Sequence, residues 1–138
     1  MNDAATKTTA PKKKIRAPKV THEDRAFWDA TAQGKLLIKR CQDCGKPHYY
    51  PRALCPYCMS ERTVFEEASG AGVVYTYSVQ RRGAEEPYAI AYVRLDEGVT
   101  MLTNLVDCDF DALAVGQRVR VRFLDTGEGN ALPMFAPE

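Results

Sequence analysis

Four of the chain's five cysteines lie close together as two C-x-x-C pairs. Cys41 and Cys44 form the first pair, Cys55 and Cys58 form the second, and ten residues separate the pairs. A C-x-x-C turn directs two sulfurs to one point, so two such turns on a short hairpin supply four thiolates to one tetrahedral ion. The spacing therefore predicts a metal site. Zinc is the expected ion, although four sulfurs also suit iron.

The four-sulfur ligand set indicates a structural metal rather than a catalytic one. A catalytic zinc keeps one position open for water or substrate, whereas four thiolates close the coordination shell and leave a poor Lewis acid. His48 lies between the two pairs, but the cysteines already suffice. We expect the ion to fold a ribbon over residues 35–68, a segment too small to bury a core of its own.

The first 20 residues combine Ala, Thr, Lys and Pro with six basic side chains and one acidic side chain. This composition predicts a disordered basic tail over residues 1–20. The start has no apolar segment of the kind found in secretory signals, and no apolar run approaches the roughly 20 residues that cross a bilayer. We therefore expect a cytoplasmic protein without a membrane partner, a setting in which clustered cysteines more often bind metal than form disulfides.

A helix is predicted over residues 21–34, where it would serve in docking. Thr21 and Asp24 form a capping-box pattern at its start, and Gly34 is a natural stop. Phe27 and Trp28 are adjacent, so their side chains point about 100° apart and cannot share one narrow stripe. Either one ring packs on the chain and the other faces a partner, or both rings belong to the core.

From residue 69 onward the sequence changes to short strands separated by turns. Five stretches are β-branched and aromatic or alternate between apolar and polar residues, and no long helix lies between them. Five strands in about 65 residues predict a small closed or partly closed β-barrel over residues 69–138, so the fold class is mainly β. The stretches are GVVYTYSVQ, YAIAYVRL, VTMLTNLV, QRVRVRFLD and NALPMFAPE.

No catalytic constellation is recognisable in the sequence. His22 and His48 have no neighbouring nucleophile, and there is no G-x-S-x-G, P-loop or G-x-G-x-x-G motif. Cys108 is flanked by Asp107 and Asp109, which raise the pKa of a thiol, the opposite of what a nucleophile needs. We therefore expect no catalytic residue on this chain.

A zinc ribbon beside a small barrel also suits a protein that binds single-stranded nucleic acid. Residues 70–138, however, hold six arginines, no lysine and ten acidic residues, whereas a barrel that follows phosphates is clearly basic. Nucleic acid is therefore the weaker alternative. In that alternative, aromatic rings would stack on bases and a row of arginines would follow phosphates: Tyr75, Tyr77, Tyr88, Tyr92, Arg118, Arg120 and Arg122.

In order and spacing, the motifs resemble the zinc-ribbon/OB-fold proteins associated with acyl-CoA metabolism, a family long catalogued as a domain of unknown function. The resemblance covers roughly Phe27 to the C terminus. One departure is Tyr50, which stands where the family often has the first of two prolines. The resemblance is carried by FW, RCQDCGKPHYYPRALCPYC, SGAGVVYTYSV, PYAIAYVRLDEGVTMLTNLV, VGQRVRVRF and ALPMFAP.

This resemblance implies a non-catalytic accessory subunit of a thiolase-superfamily enzyme, a ketothiolase or a thiolase-type aldolase or acyltransferase. It implies a structural Zn²⁺, an OB-type barrel and a hetero-oligomer in which the catalytic groups belong to the partner subunit. The helix and ribbon would dock on that subunit, and the barrel would shape or cover the channel that takes the CoA thioester. A stand-alone acyl-CoA binder is the remaining alternative.

The ribbon carries six basic side chains against two acidic ones over residues 35–62. A zinc ion with four thiolates has a charge of about −2, which balances part of this excess. The remainder would meet CoA phosphates or an acidic docking surface. The residues expected to contact the partner or CoA are Trp28 in the helix, Tyr49, Tyr50 and Arg52 between the cysteine pairs, and Arg81 and Arg82 after the first barrel strand.

Overall fold

A computed structural model describes residues 15–138. The predicted disordered tail therefore lies largely outside the described residues. Within the described range, the chain has one short α-helix, a three-stranded sheet and a closed five-stranded barrel. The prediction of a mainly β fold is confirmed. None of the helices in residues 15–138 combines the length and the hydropathy that a bilayer-spanning helix needs.

The elements follow one another in the order helix, ribbon sheet, barrel. All five strands predicted for the barrel are present, with ends within about two residues of the predicted ones. Strands β2 and β3 and a 3₁₀ turn were not predicted. The elements are α1 (Arg25–Thr31), β1 (Leu37–Cys41), β2 (Pro47–His48), β3 (Thr63–Glu67), β4 (Ala71–Gln80), β5 (Tyr88–Leu95), β6 (Thr100–Leu105), the 3₁₀ turn (Phe110–Ala112), β7 (Arg118–Asp125) and β8 (Ala131–Pro137).

The helix is shorter than predicted. It begins at Arg25 and not at Thr21, because Asp24 accepts the backbone N–H of Thr21 at 2.7 Å and closes a separate turn before the helix. It ends at Thr31, and Gly34 follows with a φ of +75°. Phe27 and Trp28 are 0% and 7% exposed, so both rings belong to the core. The reason is that α1 lies between two elements, β1 of the ribbon and β8 of the barrel.

The ribbon sheet has β1 in its centre, with β2 and β3 antiparallel on its two sides. Cys41 ends β1 and so places the first cysteine pair at the end of this sheet. Ile38 on β1 is fully buried and joins the same core cluster as the barrel residues. Ribbon and barrel therefore share one hydrophobic core.

The barrel closes in the strand order β4-β5-β6-β8-β7. Neighbouring strands are antiparallel except β6 and β8, which run parallel and meet at Leu105 and Phe135. Strand β5 alternates strictly, with four small or aliphatic side chains inside and four other side chains outside. The inner set is Ala89, Ala91, Val93 and Leu95, and the outer set is Tyr88, Ile90, Tyr92 and Arg94.

Candidate metal centre and the surfaces around it

The four cysteine sulfurs converge on one point. All four lie within 4.8 Å of one another. The Sγ atoms of Cys41 and Cys58 are 3.6 Å apart, and those of Cys44 and Cys55 are 3.7 Å apart. Zinc–sulfur bonds of about 2.3 Å in a tetrahedron place neighbouring sulfurs about 3.8 Å apart. The arrangement fits one tetrahedral zinc ion held by four thiolates.

The two knuckles repeat one backbone geometry. In the first, the N–H of Gly45 donates to the carbonyl of Cys41 at 2.9 Å; in the second, the N–H of Met59 donates to the carbonyl of Cys55 at 2.8 Å. Gly45 and Met59 both take positive φ, +76° and +67°. Backbone N–H groups also point at the sulfurs, as with Asp43 and Cys41 at 3.3 Å. Such donors stabilise thiolates and orient them towards a metal.

Hydrogen bonding and sulfur crowding have opposite effects on the thiol pKa values. The N–H of Cys44 donates to Cys41 and lowers the pKa of that thiol to about 6. The N–H of Ser60 favours the thiolate of Cys58 too, but desolvation and the neighbouring sulfurs together outweigh it and raise the pKa of Cys58 to about 12. Four thiolates this close repel one another, so the fully charged set requires a bound cation.

Most of the basic excess of the ribbon is balanced within the chain. Lys39 is buried and donates to the carbonyl of Arg52 and to the hydroxyl of Thr63, both at 3.1 Å. Burial lowers the pKa of this lysine, and a nearby glutamate partly opposes the shift. Three arginines form ion pairs: Arg40 with Glu66, Arg52 with Glu23, and Arg62 with Asp43. Of the six basic side chains of the ribbon, the other two, Lys35 and Lys46, have no ion pair within the described residues.

His48 is not part of the sulfur cluster. It is buried, and its Nε2 accepts the backbone N–H of Arg52 at 3.2 Å. Burial, followed by the charge of Lys39, lowers the pKa of this imidazole. A neutral ring with Nε2 as acceptor carries its proton on Nδ1, which is buried and unpartnered within the described residues. His48 thus supports the loop between the cysteine pairs and lies outside the four-sulfur cluster.

An aromatic clamp joins the helix to this loop. We use this name for Phe27, Trp28, Tyr49 and Tyr50, whose ring centroids lie 4.9–5.7 Å apart in four contacting pairs. The Nε1–H of Trp28 donates to the Tyr50 hydroxyl at 2.8 Å, and that hydroxyl donates to Asp24 at 2.5 Å. The sequence did not single out Asp24 for this contact, because the 26 residues that separate it from Tyr50 leave no local pattern.

The clamp shifts the pKa values of its polar groups. Burial would raise the pKa of the Asp24 carboxyl, but the hydrogen bonds from Tyr50 and Thr21 outweigh it and lower that pKa. Burial raises the pKa of Tyr49 to about 12, and burial together with Asp24 raises the pKa of Tyr50. Asp24 is therefore ionised and both tyrosines are neutral at pH 7.

The remaining predicted contact residues lie on the surface. The guanidinium carbon of Arg52 lies 5.6 Å from the centroid of the Tyr50 ring, at the edge of the clamp. Arg81 pairs with Asp111 at 2.6 Å. Arg82 is exposed and has no ion-pair partner in the described part of the chain. The structure thus gathers Trp28, Tyr49, Tyr50 and Arg52 in one place, and leaves Arg81 and Arg82 apart from them on the barrel.

The arginines of β7 form ion pairs with acidic side chains of the barrel. The nitrogen–oxygen distances are 2.9 Å for Arg118–Asp96, 3.3 Å for Arg120–Glu138 and 3.1 Å for Arg122–Asp107. Val119 on the same strand is fully buried, as the predicted alternation requires. Paired arginines on an outer strand face carry little net positive field, which weakens the nucleic-acid alternative.

Cys108, the fifth cysteine, lies away from the metal centre and is partly buried. Burial, followed by the charges of Asp107 and Asp109, raises the pKa of this thiol. The raised pKa leaves it protonated and unreactive at pH 7.

Two family models match the chain in succession. The model described as "ChsH2, rubredoxin-like zinc ribbon domain" matches residues 28–64, and the one described as "ChsH2, C-terminal OB-fold domain" matches residues 65–124. A protein of Methanocaldococcus jannaschii, named "DUF35 domain-containing scaffold protein", is 37% identical over 64% of this chain and 67% of its own length. The chain belongs to the ChsH2/DUF35 family. Family membership identifies the sulfur cluster as a structural zinc site and the barrel as an OB-fold.

Two further proteins are similar to this chain. A Thermomonospora curvata protein named "Probable enoyl-CoA hydratase alpha subunit" is 36% identical over 96% of the chain. The chain spans only 43% of that relative's length. A chain of the solved structure described as "Ltp2-ChsH2(DUF35) aldolase" superposes with a TM-score of 0.76 at 33% identity, over 88% of this chain and 98% of that one.

Proposed function

We propose that this chain is a non-catalytic accessory subunit of a thiolase-like acyl-CoA enzyme, a ketothiolase or a thiolase-type aldolase or acyltransferase. The observation that carries the proposal is the match to the chain from the Ltp2-ChsH2(DUF35) aldolase, which spans 98% of that chain. The names of the relatives, a scaffold protein and an enoyl-CoA hydratase alpha subunit, are consistent with a chain that works in a multi-subunit acyl-CoA enzyme.

The chemistry of the described residues supports this division of labour. The zinc site is closed by four thiolates and has no position for substrate. Cys108 is held as a thiol, and His48 is engaged with the backbone of Arg52. In this proposal the nucleophile and the acid and base groups belong to the catalytic subunit. The accessory chain shapes or covers the channel for the CoA thioester, in the cytoplasm, where its cysteines stay reduced.

The proposed contact residues now have distinct roles. Trp28, Tyr49 and Tyr50 hold the helix on the ribbon and so fix the shape of the docking region. Arg52 and Arg81 offer their exposed guanidinium groups beside their ion pairs, and Arg82 is unpaired within the described range. These three arginines are the groups through which CoA phosphates or acidic partner side chains would be met.

The test is to tag this chain in its own host, purify it gently and identify what comes with it by mass spectrometry. We expect a stoichiometric second chain of thiolase-type sequence and acyl-CoA activity only in the complex. A protein that purifies without such a chain contradicts the proposal. Micromolar binding of CoA esters by the isolated chain would point to the stand-alone binder, and a salt-sensitive complex with single-stranded oligonucleotides to the nucleic-acid alternative.

A further inference from the structure

The outer face of strands β4, β5 and β6 is apolar to a degree that the rest of the barrel is not. The three strands have 10, 8 and 6 residues, and Arg94 is the only charged residue among them. Five large apolar side chains on this face are 42–56% exposed. We call this set the sheet patch: Tyr75, Tyr88, Ile90, Tyr92 and Leu102.

The strand register groups the sheet patch in one area of this face, with the uncharged residues Ser78 and Asn104 opposite Ile90. Tyr92 lies directly opposite Leu102 on β6 and opposite Thr76 on β4. Tyr88 and Ile90 occupy the two preceding outward positions of β5. Tyr75 lies at the irregularity of β4 and packs its ring under Arg94, whose guanidinium carbon is 4.7 Å from the ring centroid.

The size of the patch suits the centre of a protein interface. With strands about 4.8 Å apart and a rise of about 3.3 Å per residue, the patch covers about 300 Å². Exposed apolar patches of that size on single chains are often functional. A standard interface buries about 800 Å² on each partner, so the patch would form its apolar centre and leave room for a polar rim.

Arg94 distinguishes this face from an ordinary solvated one. Four of the other five arginines of the barrel pair with carboxylates, and Arg82, in the loop after β4, does not: the paired ones are Arg81, Arg118, Arg120 and Arg122. Arg94 has no ion pair within residues 15–138, and its interaction there is the stacking on Tyr75. Arginine and tyrosine are the residue types that contribute most binding energy at protein interfaces. Arg94 is exposed and carries no ion pair within the described residues, so its guanidinium is free to bind a carboxylate of a partner.

Charge and topology limit what can cover the patch. Two copies meeting through it about a twofold axis would bring two unpaired arginines together, with no carboxylate on either face. The patch offers a nucleic-acid strand one cation, Arg94, whereas a phosphate-binding groove has several. A strand of a partner cannot add to an edge of this sheet, because the barrel is closed and leaves no free edge.

We propose that the sheet patch is a docking surface for the catalytic subunit, which covers it with an apolar surface that places a carboxylate against Arg94. The inference rests on the proposed function and assigns a surface that is separate from the helix and ribbon.

The test uses the complex that the wild-type chain forms in its host. Leu102→Asp and Tyr92→Glu should each weaken binding of the catalytic chain by at least about tenfold, measured by titrating the purified chains. Val115→Asp is the matched control, since Val115 is an apolar residue 67% exposed and outside the patch. Arg94→Gln should weaken binding severalfold, whereas Arg120→Gln on β7 should leave it unchanged. Circular dichroism and zinc content verify that each variant is folded.

The outcomes separate this inference from the proposed function. If the wild-type chain binds its catalytic subunit and the patch variants bind it equally well, the docking surface is wrong and the proposed function stands. If the wild-type chain has no such subunit, both fail. If the patch variants instead abolish self-association or oligonucleotide binding, a second copy or a nucleic acid covers the patch and the inference is overturned.

Discussion

At the scale of one residue, Met59 occupies in the second cysteine knuckle the position that Gly45 occupies in the first. In the second knuckle it adopts the left-handed backbone that Gly45 adopts in the first, with φ of +67° and +76°. A side chain with a Cβ is strained there by about 1–2 kcal/mol, whereas glycine is not. The side chain of Met59 is 66% exposed, so packing offsets little of this strain.

We expect Met59→Gly to raise the free energy of unfolding by about 0.5–1 kcal/mol, because relief of strain exceeds the added entropy of the unfolded chain. Urea unfolding of the zinc-loaded protein measures the change. Gly45→Ala is the matched control and should lower stability by about 1 kcal/mol. A destabilised Met59→Gly protein would show that the thioether contributes an interaction at this site.

Asp24 gives the protein a defined sensitivity to acid. The pKa of its carboxyl is lower in the folded state than in the unfolded chain, because Tyr50 and Thr21 donate to it and outweigh the effect of burial. Its contribution to stability is therefore complete above the unfolded pKa of about 3.9 and is lost as the pH falls through the folded pKa.

We expect Asp24→Asn to lower stability at pH 7 and to flatten the fall in stability below about pH 4. Thermal unfolding of both proteins between pH 2 and 7 at constant ionic strength, at equal zinc occupancy, would detect this, with Asp29→Asn on the exposed side of the helix as the control. Parallel acid profiles for Asp24→Asn and the wild type would rule out the assigned role.

At the scale of elements, the position of β4 depends on the absence of a side chain at Gly72. A Cβ at this residue would lie 2.4 Å from the carbonyl oxygen of Arg94 on β5 and 3.0 Å from a methyl of Val93. The carbonyl oxygen of Arg94 belongs to the backbone and cannot move without breaking the pairing of β4 with β5. Close approach at Gly72 thus sets the register on which the sheet patch depends.

We expect Gly72→Ala to destabilise the protein by about 1–3 kcal/mol or more through overpacking of β4 against β5. Ser78→Ala, at an exposed position of the same strand, should change stability by less than about 0.5 kcal/mol. Urea unfolding compares the two. Equal stability of both variants would mean that β4 can shift away from β5 at no cost.

At the scale of the whole molecule, zinc stabilises the ribbon and the shared hydrophobic core stabilises the barrel. The ribbon has few buried side chains of its own, whereas the barrel contributes most of the core cluster. The helix joins both, through the aromatic clamp on one side and through the Thr31 hydroxyl on the other, which accepts the N–H of Ala131 at 3.0 Å. Loss of the ion should therefore release the ribbon and the helix before it affects the barrel.

We expect Cys55→Ser, or removal of zinc by a chelator, to unfold the ribbon and abolish partner binding while amides of the barrel stay protected from hydrogen exchange. Zinc content should fall from one ion per chain to near zero. Cys108→Ser, which changes the cysteine outside the cluster, should keep both zinc and partner. Normal assembly of a zinc-free Cys55→Ser protein would overturn the structural role of the metal.

Sequence patterns predicted those parts of the protein that depend on spacing along the chain. The C-x-x-C pairs predicted the zinc site, and the alternation of apolar and polar residues predicted the barrel strands, because ligand geometry and strand pleat act over a few residues. The length of the helix was predicted less well. The bond between Asp24 and Thr21 fits a capping box equally well at the start of a helix and in the turn before one.

What the tertiary structure alone decided was the use of individual surface residues. Trp28, Tyr49 and Tyr50 are candidate contacts in the sequence, but the fold brings them together into a clamp. The arginines of β7 form a basic row in the sequence, but in the barrel each faces a carboxylate 15–22 residues away or at the C terminus. Strand register aligns Tyr92 with Leu102 and leaves Arg94 without a carboxylate. Such pairings depend on which strands become neighbours, and no local pattern encodes that choice.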